Sequence, residues 1–275
     1  MTAPTGPLHG RTVLVTGGSR GIGAAIVRAA HRDGATVVLH YGSATAAARV
    51  VADDLGDRIH LVRGDLSDPA GPDVIWSAAL EAAGRIDVLV NNAGAWIASP
   101  VDAPSDGEPD WHAGWLQNLT LNLTAPADLC RLAIQHFRQF GPGGGGIIVN
   151  VTSRSAHRGD DADHLAYGAA KGGLLALTKG IARGYAKDGV LAYAVAPGWV
   201  GTDLAAGELD PAMLAALPLR EVTPPQDVAE MVVFLASGRS RLHHGRNHRH
   251  HGCRLRPLTP GEHDPLTTAR PHPTP

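Results

Sequence analysis

The side chains best suited to chemistry are Tyr167 and Lys171, which stand four residues apart in an Ala- and Gly-rich stretch. At that spacing two side chains share one face of a helix. A free tyrosine has a pKa of about 10, and a neighbouring ammonium group favours the ionised form and lowers that pKa. Because acid–base catalysis works best when the catalytic pKa lies near the working pH, the pair predicts that Tyr167 acts as a general acid or base.

A second chemical feature is the glycine-rich segment Thr16–Gly23, which follows an apolar run and begins a helical stretch. Glycines at positions 17, 21 and 23 allow a tight turn and the close approach of a phosphate to the backbone. A helix N-terminus offers free N–H groups and a partial positive charge to that phosphate. The segment therefore predicts the pyrophosphate site of a dinucleotide.

These residues fall within an alternation of apolar runs and helical stretches. The runs are rich in Val, Ile and Leu, as is typical of strands buried on both faces of a parallel sheet; they span Thr12–Thr16, Thr36–His40, His60–Val62, Ile86–Val90, Ile147–Val151 and Leu191–Val195. Crossover helices are predicted over Gly23–Asp33, Ala44–Leu55, Val74–Ala83, Leu121–Phe140 and Leu165–Lys187. The pattern predicts an α/β fold, a single doubly wound (Rossmann) parallel sheet flanked by helices, with ligands bound beyond the carboxyl ends of the strands.

Composition limits the class of protein. Apolar residues make up 44% and charged residues 18% of the 275 residues, which favours a folded domain over disorder. The net charge of −2 argues against nucleic acid as the main partner. Two cysteines without motif spacing predict a reducing, cytoplasmic location, and no apolar stretch reaches the roughly 18 residues that a membrane span needs. We expect a flexible leader over residues 1–10 and the catalytic domain over 11–238.

Several motifs together resemble the short-chain dehydrogenase/reductase family. Thr16–Gly23 has the spacing Thr-Gly-x-x-x-Gly-x-Gly, Asn91–Gly94 reads Asn-Asn-Ala-Gly, Tyr167–Lys171 reads Tyr-x-x-x-Lys, and Pro197–Thr202 reads Pro-Gly-x-Val-x-Thr. The resemblance covers roughly residues 9–240, with 3-oxoacyl-acyl-carrier-protein reductases as the commonest neighbours. It implies an NAD(P)-dependent oxidoreductase that interconverts a small-molecule carbonyl and alcohol by hydride transfer, assembled as a homo-oligomer, a dimer or a homotetramer.

The resemblance also implies roles for particular residues. The catalytic set is Asn122, Ser153, Tyr167 and Lys171: Ser153 hydrogen-bonds the substrate carbonyl, Lys171 holds the nicotinamide ribose, and Asn122 keeps a water near the lysine. Strand register favours Ser153 over Ser155 for the serine. The cofactor-binding residues are Gly17, Ser19, Arg20, Gly21, Ile22, Gly23, Ser43, Asp65, Leu66, Asn91, Ala93, Gly94, Tyr167, Lys171, Pro197, Gly198, Val200 and Thr202. For Asn91 the resemblance also implies an alternative role, because in the family this residue mostly steadies the central sheet.

The end of the second predicted strand bears on the choice of dinucleotide. An NAD enzyme usually has an acidic residue there to bind the ribose 2′-hydroxyl, but this strand ends in His40–Ser43 without a carboxylate. Arg20 in the glycine-rich turn can pair with a 2′-phosphate, Ser43 can donate a hydroxyl, and His40 can assist if it is protonated. We therefore expect NADP(H) to be preferred over NAD(H).

The substrate pocket is less defined by the sequence. Trp96, His157, Trp199 and a cap over Leu204–Thr223 are candidates by position. Their aromatic surface favours an apolar or ring-bearing carbonyl compound.

The segment from about residue 239 to 275 is rich in His, Arg and Pro and departs from the family's apolar ending. It has no apolar run over Leu242–Gly252, so we expect an irregular, disordered tail in place of the last strand. Five histidines between positions 243 and 251 raise a metal tract as one explanation, but a flexible tail lacks the fixed geometry of a metal site. We favour a reading-frame shift near Arg241, since codons permitted for Leu242–Arg256 encode a plausible family ending when they are read one base out of phase.

Two other classes of function compete with an active oxidoreductase. A catalytically impaired dinucleotide-binding protein is favoured by the altered tail and opposed by the intact catalytic set. A nucleic-acid binder acting through residues 240–275 predicts salt-sensitive binding that is lost on deletion of the tail.

Overall fold

Seven parallel strands form one sheet in the computed structural model of the chain, which describes residues 6–102, 110–141, 145–202 and 211–250. The strands are β1 (Thr12–Val15), β2 (Thr36–Tyr41), β3 (Ile59–Arg63), β4 (Val88–Asn91), β5 (Ile147–Val151), β6 (Leu191–Pro197) and β7 (Asn247–His250). Their order across the sheet is β3-β2-β1-β4-β5-β6-β7. Because β1 lies between β2 and β4, the chain reverses direction across the sheet there, which opens a crevice at the carboxyl ends of the strands.

Nine α-helices connect or flank these strands in the part of the chain that the structure describes. They are α1 (Gly21–Arg32), α2 (Thr45–Leu55), α3 (Gly71–Ala83), α4 (Trp111–Leu119), α5 (Ala125–Phe137), α6 (Ser155–Arg158), α7 (Leu165–Tyr185), α8 (Pro211–Ala216) and α9 (Pro225–Ala236). A single π-helical turn, Thr120–Thr124, joins α4 to α5. None of the described helices is long and apolar enough to cross a membrane.

The apolar core lies on both faces of the sheet. Val13 and Val15 of β1 pack in the cluster that includes α1 and α9, whereas Leu14 between them packs in the cluster of α3 and α5. Successive strand residues point to opposite faces, so a strand that is covered on both faces needs a continuous apolar run. This confirms the predicted doubly wound parallel sheet, and it explains why its strands read as runs of Val, Ile and Leu.

The predicted helix over Leu121–Phe140 begins ten residues earlier than expected and is not uniform. The Asp110 carboxylate accepts hydrogen bonds from the N–H groups of His112 (3.1 Å) and Ala113 (3.2 Å), which caps α4. An acidic residue before a helix is a readable start signal. The π turn then interrupts the helix, and its position matters for the site described below.

The predicted flexible leader is partly wrong. Leu8 is fully buried in the core, and its N–H donates to the Asp33 carbonyl at 3.0 Å. An apolar side chain that fills the core fixes the backbone around it, which composition alone did not reveal. Residues 1–5 lie outside the described residues.

The expectation of a wholly irregular tail is also wrong, up to residue 250. A 3₁₀ turn over Arg241–His243 is followed by β7, which pairs with β6 in parallel register from Ala194 to Pro197. The buried Tyr193 hydroxyl donates to the Ser240 carbonyl at 3.0 Å, and the Gly245 N–H donates to the Ala192 carbonyl at 2.8 Å. An edge strand pairs through backbone groups whatever its side chains are, so the missing apolar run did not exclude it. Residues 251–275 lie outside the described residues.

Candidate active site

The glycine-rich turn between β1 and α1 is shaped to admit a phosphate. Gly17 has a φ of +65°, in the left-handed region that favours glycine. A Cβ on Gly23 would lie 2.0 Å from the Gly17 carbonyl oxygen, so any side chain there would force the turn apart. Arg20 stands at the N-cap of α1, and the N–H groups of the first helical turn begin just after it. The turn thus presents backbone donors and a cation to the same crevice.

The Asn-Asn-Ala-Gly segment after β4 holds this turn in place. The Thr16 hydroxyl accepts hydrogen bonds from the N–H groups of Asn92 and Ala93, both at 3.0 Å, and the Asn92 amide donates to the Thr16 carbonyl at 2.9 Å. Asn92 also lines the crevice. Its role as a brace was missed in the sequence, where it stands beside Asn91 in a motif of two identical residues.

The structure places the side chain of Asn91, one of the predicted cofactor residues, in the core and not among the described residues that line the crevice. Asn91 is buried, and its amide donates to Asn150 Oδ1 at 2.9 Å and to Cys130 Sγ at 3.3 Å. The side chain ties β4 to β5 and α5 in the core. Successive residues of an extended chain point in opposite directions, so Asn91 and Asn92 could not both face the crevice.

His40 at the end of β2 has a different role from the one expected. Its Nδ1 accepts from the Gly17 N–H at 3.3 Å and its Nε2 donates to the Gly64 carbonyl at 3.2 Å. A backbone N–H can only donate, so the ring is the neutral Nε2–H tautomer. Burial of the ring lowers the pKa of His40. The expected assistance of a protonated His40 to a 2′-phosphate is therefore not supported, and the ring instead joins the glycine-rich turn to the end of β3.

A cleft of about 720 Å³ extends along the glycine-rich turn. Among the predicted cofactor residues, it is lined by Gly17, Ser19, Arg20, Gly21, Ile22, Gly23, Ser43, Asp65, Leu66, Ala93, Gly94 and Thr202. The Asp65 carboxylate accepts from the N–H and the hydroxyl of Ser67 at 2.8 and 2.6 Å, and these bonds lower the pKa of Asp65. The cleft therefore has a fixed acidic group at one end and the exposed Arg20 in its turn.

A second cavity, of about 150 Å³, adjoins this cleft and contains the predicted catalytic residues. Asn122, Ser153, Tyr167 and Lys171 all line it, together with the predicted cofactor residues Pro197, Gly198 and Val200. Ile22, Gly94 and Thr202 line both spaces. Four side chains from a π turn, a strand end and one helix thus line one cavity that adjoins the cleft.

Ser153 lies at the centre of this group. It follows β5 and forms hydrogen bonds with the Tyr167 side chain and, at 3.1 Å, with the Ser155 hydroxyl. The Ser155 N–H also donates to the Ser153 hydroxyl oxygen at 3.1 Å. Tyr167 thus interacts with Ser153, the serine that strand register favours, and Ser155 is bonded to Ser153.

The pKa of Tyr167 moves in the direction opposite to the one predicted. Burial raises it to about 12, and the hydrogen bond with Ser153 only partly opposes this. Lys171 does not lower it, because its Nζ lies 5.7 Å from the Tyr167 ring centre and donates to the Val151 carbonyl at 3.0 Å. Within the chain alone, desolvation outweighs the neighbouring charge. Tyr167 is therefore a protonated phenol near neutrality.

Lys171 is a buried amine whose charge is poorly solvated. It is 4% exposed, and burial lowers its pKa to about 8. A Cβ on Gly94 would lie 3.3 Å from the Lys171 Nζ and 2.5 Å from Asn122 Oδ1. The glycine therefore leaves open the space that the lysine and the asparagine both face.

Asn122 is placed by the π turn. Its amide donates to the Ala95 carbonyl at 2.8 Å, whereas its buried Oδ1 has no hydrogen-bond partner among the residues that the structure describes. Buried polar atoms are rarely left unsatisfied, and π turns occur frequently at functional sites. Asn122 Oδ1 is therefore available to accept a hydrogen bond from a molecule in the cavity. The predicted role of Asn122, holding a water, requires such a free acceptor.

An aromatic wall faces the reaction centre. Trp96 stacks on His164 at 3.7 Å between ring centres and meets Trp199 edge-on at 6.1 Å. Trp96 and Trp199 line the cavity as predicted, whereas His157 is not among its described lining residues. Arg154 and Asp160 also line it and were missed. Of the predicted cap, residues 204–210 lie outside the described residues, and the remainder contains α8.

Comparison with known proteins agrees with this arrangement. A family model described as enoyl-(acyl carrier protein) reductase matches residues 17–252. The 3beta-hydroxysteroid dehydrogenase 1 of Eggerthella lenta is 36% identical over 241 residues, which cover 84% of this chain and 88% of that protein. The cis-4-hydroxycyclohexanecarboxylate dehydrogenase of Sinomonas cyclohexanicum is 38% identical over 233 residues, covering 82% of this chain and 89% of that one.

A solved structure extends the likeness to the whole fold. The crystal structure of a short-chain dehydrogenase from Burkholderia cenocepacia J2315 in complex with NADP is 31% identical, with a TM-score of 0.80, and covers 90% of this chain and 98% of that one. The predicted family resemblance is confirmed. The chain belongs to the short-chain dehydrogenase/reductase family and is an oxidoreductase that acts on hydroxyl and carbonyl groups.

Proposed function

We propose that the chain is an NADP-dependent oxidoreductase that interconverts a cyclic secondary alcohol and its ketone with the residues Asn122, Ser153, Tyr167 and Lys171. The observation that carries the proposal is the convergence of these four side chains on one cavity, directly beside a cleft lined by the glycine-rich turn. The glycine-rich turn has no room for a side chain at Gly23, because a Cβ there would meet the Gly17 carbonyl oxygen. This tight turn and the free N–H groups in the first turn of α1 fit a dinucleotide pyrophosphate. When bound, the nicotinamide gives or takes the hydride.

The four residues divide the remaining chemistry. Tyr167, protonated near neutrality, donates its proton to the carbonyl oxygen in reduction and takes it back in oxidation. The Ser153 hydroxyl hydrogen-bonds the same oxygen and stabilises charge that develops on it. Lys171 places a positive charge beside the tyrosine and holds the nicotinamide ribose. Asn122 orients a water through its Oδ1, so that the proton lost by Tyr167 can be replaced through the lysine.

The preference for NADP over NAD is the finer part of the proposal. Ser43 lies just after β2 and lines the same cleft as Arg20. Arg20 is exposed and stands at the N-cap of α1. A guanidinium can hold a phosphate with two parallel hydrogen bonds. The ring of His40 is neutral and engaged with the backbone, so we assign the 2′-phosphate to Arg20 and Ser43.

Replacement of Arg20 by Ala is expected to weaken NADPH binding by about 10- to 100-fold, the loss of a charge-assisted contact, and to leave NADH binding nearly unchanged. Titration of the purified chain with each cofactor, followed by nucleotide fluorescence, measures both dissociation constants. Arg28→Ala is the matched control, because Arg28 lies on the same helix but pairs with Asp54 at 2.8 Å. Equal affinity of the wild type for NADH and NADPH would overturn the preference.

The substrate class follows from the aromatic wall and from the relatives. Trp96 and Trp199 present apolar ring faces beside Ser153 and Tyr167, and the two relatives named above are a hydroxysteroid dehydrogenase and a hydroxycyclohexanecarboxylate dehydrogenase. A screen of cyclic ketones, monitored by the absorbance of NADPH, tests the activity. If neither cyclic ketones nor the corresponding alcohols are turned over with either cofactor, the alternative of a catalytically impaired dinucleotide-binding protein gains support. The altered tail sequence favoured that alternative because it was expected to remove the last strand. This argument is weaker in the structure, where β7 is present and pairs with β6.

We also propose that residues 11–238 carry all the catalytic parts, and that the protein is cytoplasmic and forms a homo-oligomer. The buried, unpaired Cys130 thiol is consistent with a reducing compartment. Exposed apolar side chains on α4 and α9, Leu116 and Phe234, offer surface for self-association. Multi-angle light scattering is expected to give a mass of two or four chains, and a monomer at micromolar concentration would contradict this.

A further inference from the structure

Arg154 is a charged residue inside the reaction cavity that the proposed mechanism does not use. It directly follows Ser153, and its backbone N–H donates to the Pro197 carbonyl at 3.0 Å, which fixes it between β5 and β6. The side chain is half-buried and lines the cavity together with Tyr167. Its Cζ lies 4.7 Å from the ring centre of Trp199. The guanidinium is therefore held over an aromatic face close to the reacting groups.

The charge of Arg154 is not neutralised within the site. Among the residues that the structure describes, its guanidinium forms no hydrogen bond and no ion pair. Asp160 lines the same cavity and attracts it at longer range, whereas the exposed Arg158 repels it. A guanidinium carries five N–H donors and no acceptor, and partial burial removes some of the water that would otherwise bind those donors. This arrangement suits an anion supplied by the substrate.

The surroundings of Arg154 indicate what else that substrate contains. The planes of Trp96 and Trp199 are nearly perpendicular, at 89°, and form an apolar corner beside the guanidinium. His164 stacks on Trp96 and is itself bonded to the Asp161 carboxylate at 2.7 Å, so the corner is braced from behind. The guanidinium and the side chains of Ser153 and Tyr167 line the same cavity as this corner, so a ring that enters it lies within one small space with all three.

We propose that Arg154 is a specificity-determining residue that binds the carboxylate of a cyclic keto or hydroxy acid while the ring lies in the Trp96–Trp199 corner. The inference rests on the proposed function, which it narrows to a substrate class. A carboxylate matches the planar fork of a guanidinium. A carboxylate carries a single negative charge. A ligand group with two negative charges would be repelled more strongly by the Asp160 carboxylate, which lines the same cavity.

The test compares an acid with its uncharged ester on the same ring. With saturating NADPH, 4-oxocyclohexanecarboxylate and its methyl ester are assayed with the wild type, Arg154→Gln, Arg154→Lys and, as a matched control, Arg158→Gln. Arg158 is the last residue of α6, the short helix that Arg154 precedes as its N-cap. It is exposed and lies outside the cavity lining among the described residues. Arg154→Gln is expected to lower kcat/KM for the acid by about 10- to 100-fold, mostly through KM, with little change for the ester.

The controls separate a specific contact from a general disturbance. Arg154→Lys is expected to keep part of the preference for the acid, and Arg158→Gln all of it. An equal loss on acid and ester in Arg154→Gln would show that the arginine only supports Trp199, and it would overturn the proposal. Turnover of the ester without any preference of the wild type for the acid would overturn it as well, while leaving the proposed oxidoreductase function intact.

A binding measurement decides the inference even if no ketone in the pair is reduced. Cyclohexanecarboxylate is titrated calorimetrically into the chain saturated with NADP+, for the same four proteins. Tighter binding to the wild type and to Arg158→Gln than to Arg154→Gln supports the carboxylate site. Equal heats for wild type and Arg154→Gln, or no binding to either, overturn it. Absence of turnover with these and all other cyclic ketones would count against the proposed function and not against the carboxylate site.

Discussion

The Tyr167→Phe variant is expected to reduce cyclic ketones about 10²- to 10⁴-fold more slowly in kcat than the wild type, the range in which general acid catalysis contributes. Phenylalanine keeps the ring of Tyr167 and its packing, but it removes the phenolic O–H group that is proposed to pass a proton to the carbonyl oxygen. Affinity for NADPH is expected to stay nearly unchanged, because the cleft beside the glycine-rich turn is untouched. Steady-state kinetics and a cofactor titration measure the two effects separately.

Tyr193→Phe provides the matched control for this prediction. Tyr193 is fully buried in β6, and its hydroxyl donates to the Ser240 carbonyl at 3.0 Å, away from the reaction cavity. Removal of that hydroxyl is expected to cost about 1 kcal/mol of unfolding free energy and to leave kcat close to that of the wild type. Wild-type turnover by Tyr167→Phe would sink the assignment of the proton donor.

The Lys171→Met variant is expected to lose about 10²-fold or more in kcat/KM, since it removes the charge beside the reacting tyrosine. The same substitution has a second, structural signature. Burial lowers the pKa of Lys171 from 10.5 to about 8 in the folded chain, so between these values the unfolded chain binds the proton and the folded chain does not. The unfolding free energy contributed by Lys171 therefore rises as the pH increases from about 8 towards 10.5.

Chemical denaturation at a series of pH values measures this contribution as a difference between two proteins. The unfolding free energy of the wild type, relative to Lys171→Met, is expected to increase by on the order of 2 kcal/mol between pH 8 and 10. Taking the difference removes the opposite contribution of Cys130, whose thiol pKa is raised to about 12 by burial in both proteins. Lys179→Met, an exposed position on the same helix, is expected to show no such change. If the difference in unfolding free energy between the wild type and Lys171→Met does not change with pH, the Lys171 amine is not buried as described.

The two predictions are connected by one physical fact. Tyr167 and Lys171 are both desolvated, which raises the pKa of the acid and lowers that of the base. Their ordinary values near 10 and 10.5 thus move apart, to about 12 and about 8. Near neutrality the tyrosine holds its proton, so in the absence of other groups the site is set up to donate in the direction of ketone reduction.

Sequence patterns were most informative where a property repeats along the chain. The continuous apolar runs of β1, β4 and β5 predicted a sheet covered on both faces, because only such a strand needs apolar residues on both sides. The spacing of Tyr167 and Lys171 predicted a shared helix face, because helical geometry is local. The glycine-rich turn was readable for a similar reason: Gly23 stands where a Cβ would meet the backbone of the same turn.

Patterns misled where the outcome depends on partners that are distant in the chain. Asn91 and Asn92 are the same residue type in one motif, yet they face different surroundings. Asn91 faces the core, where it bonds to Asn150, and Asn92 faces the crevice, where it bonds to Thr16. His40 was considered as a helper of the 2′-phosphate site if protonated, but hydrogen bonds with Gly17 and Gly64 hold its ring neutral. The tail lacked an apolar run, yet the free edge of β6 pairs with it through backbone groups.

The sequence by itself determined the order of the first six strands and of the crossover helices between them, the place of the glycine-rich turn and the residue types available for proton transfer, because these follow from periodicity and short spacing. Only the tertiary structure decided the direction of the pKa shifts at Tyr167 and Lys171, and the assembly of Arg154 with the Trp96–Trp199 corner. Desolvation and ring packing arise from groups brought together by folding from separate parts of the chain, and no local pattern records which groups those will be.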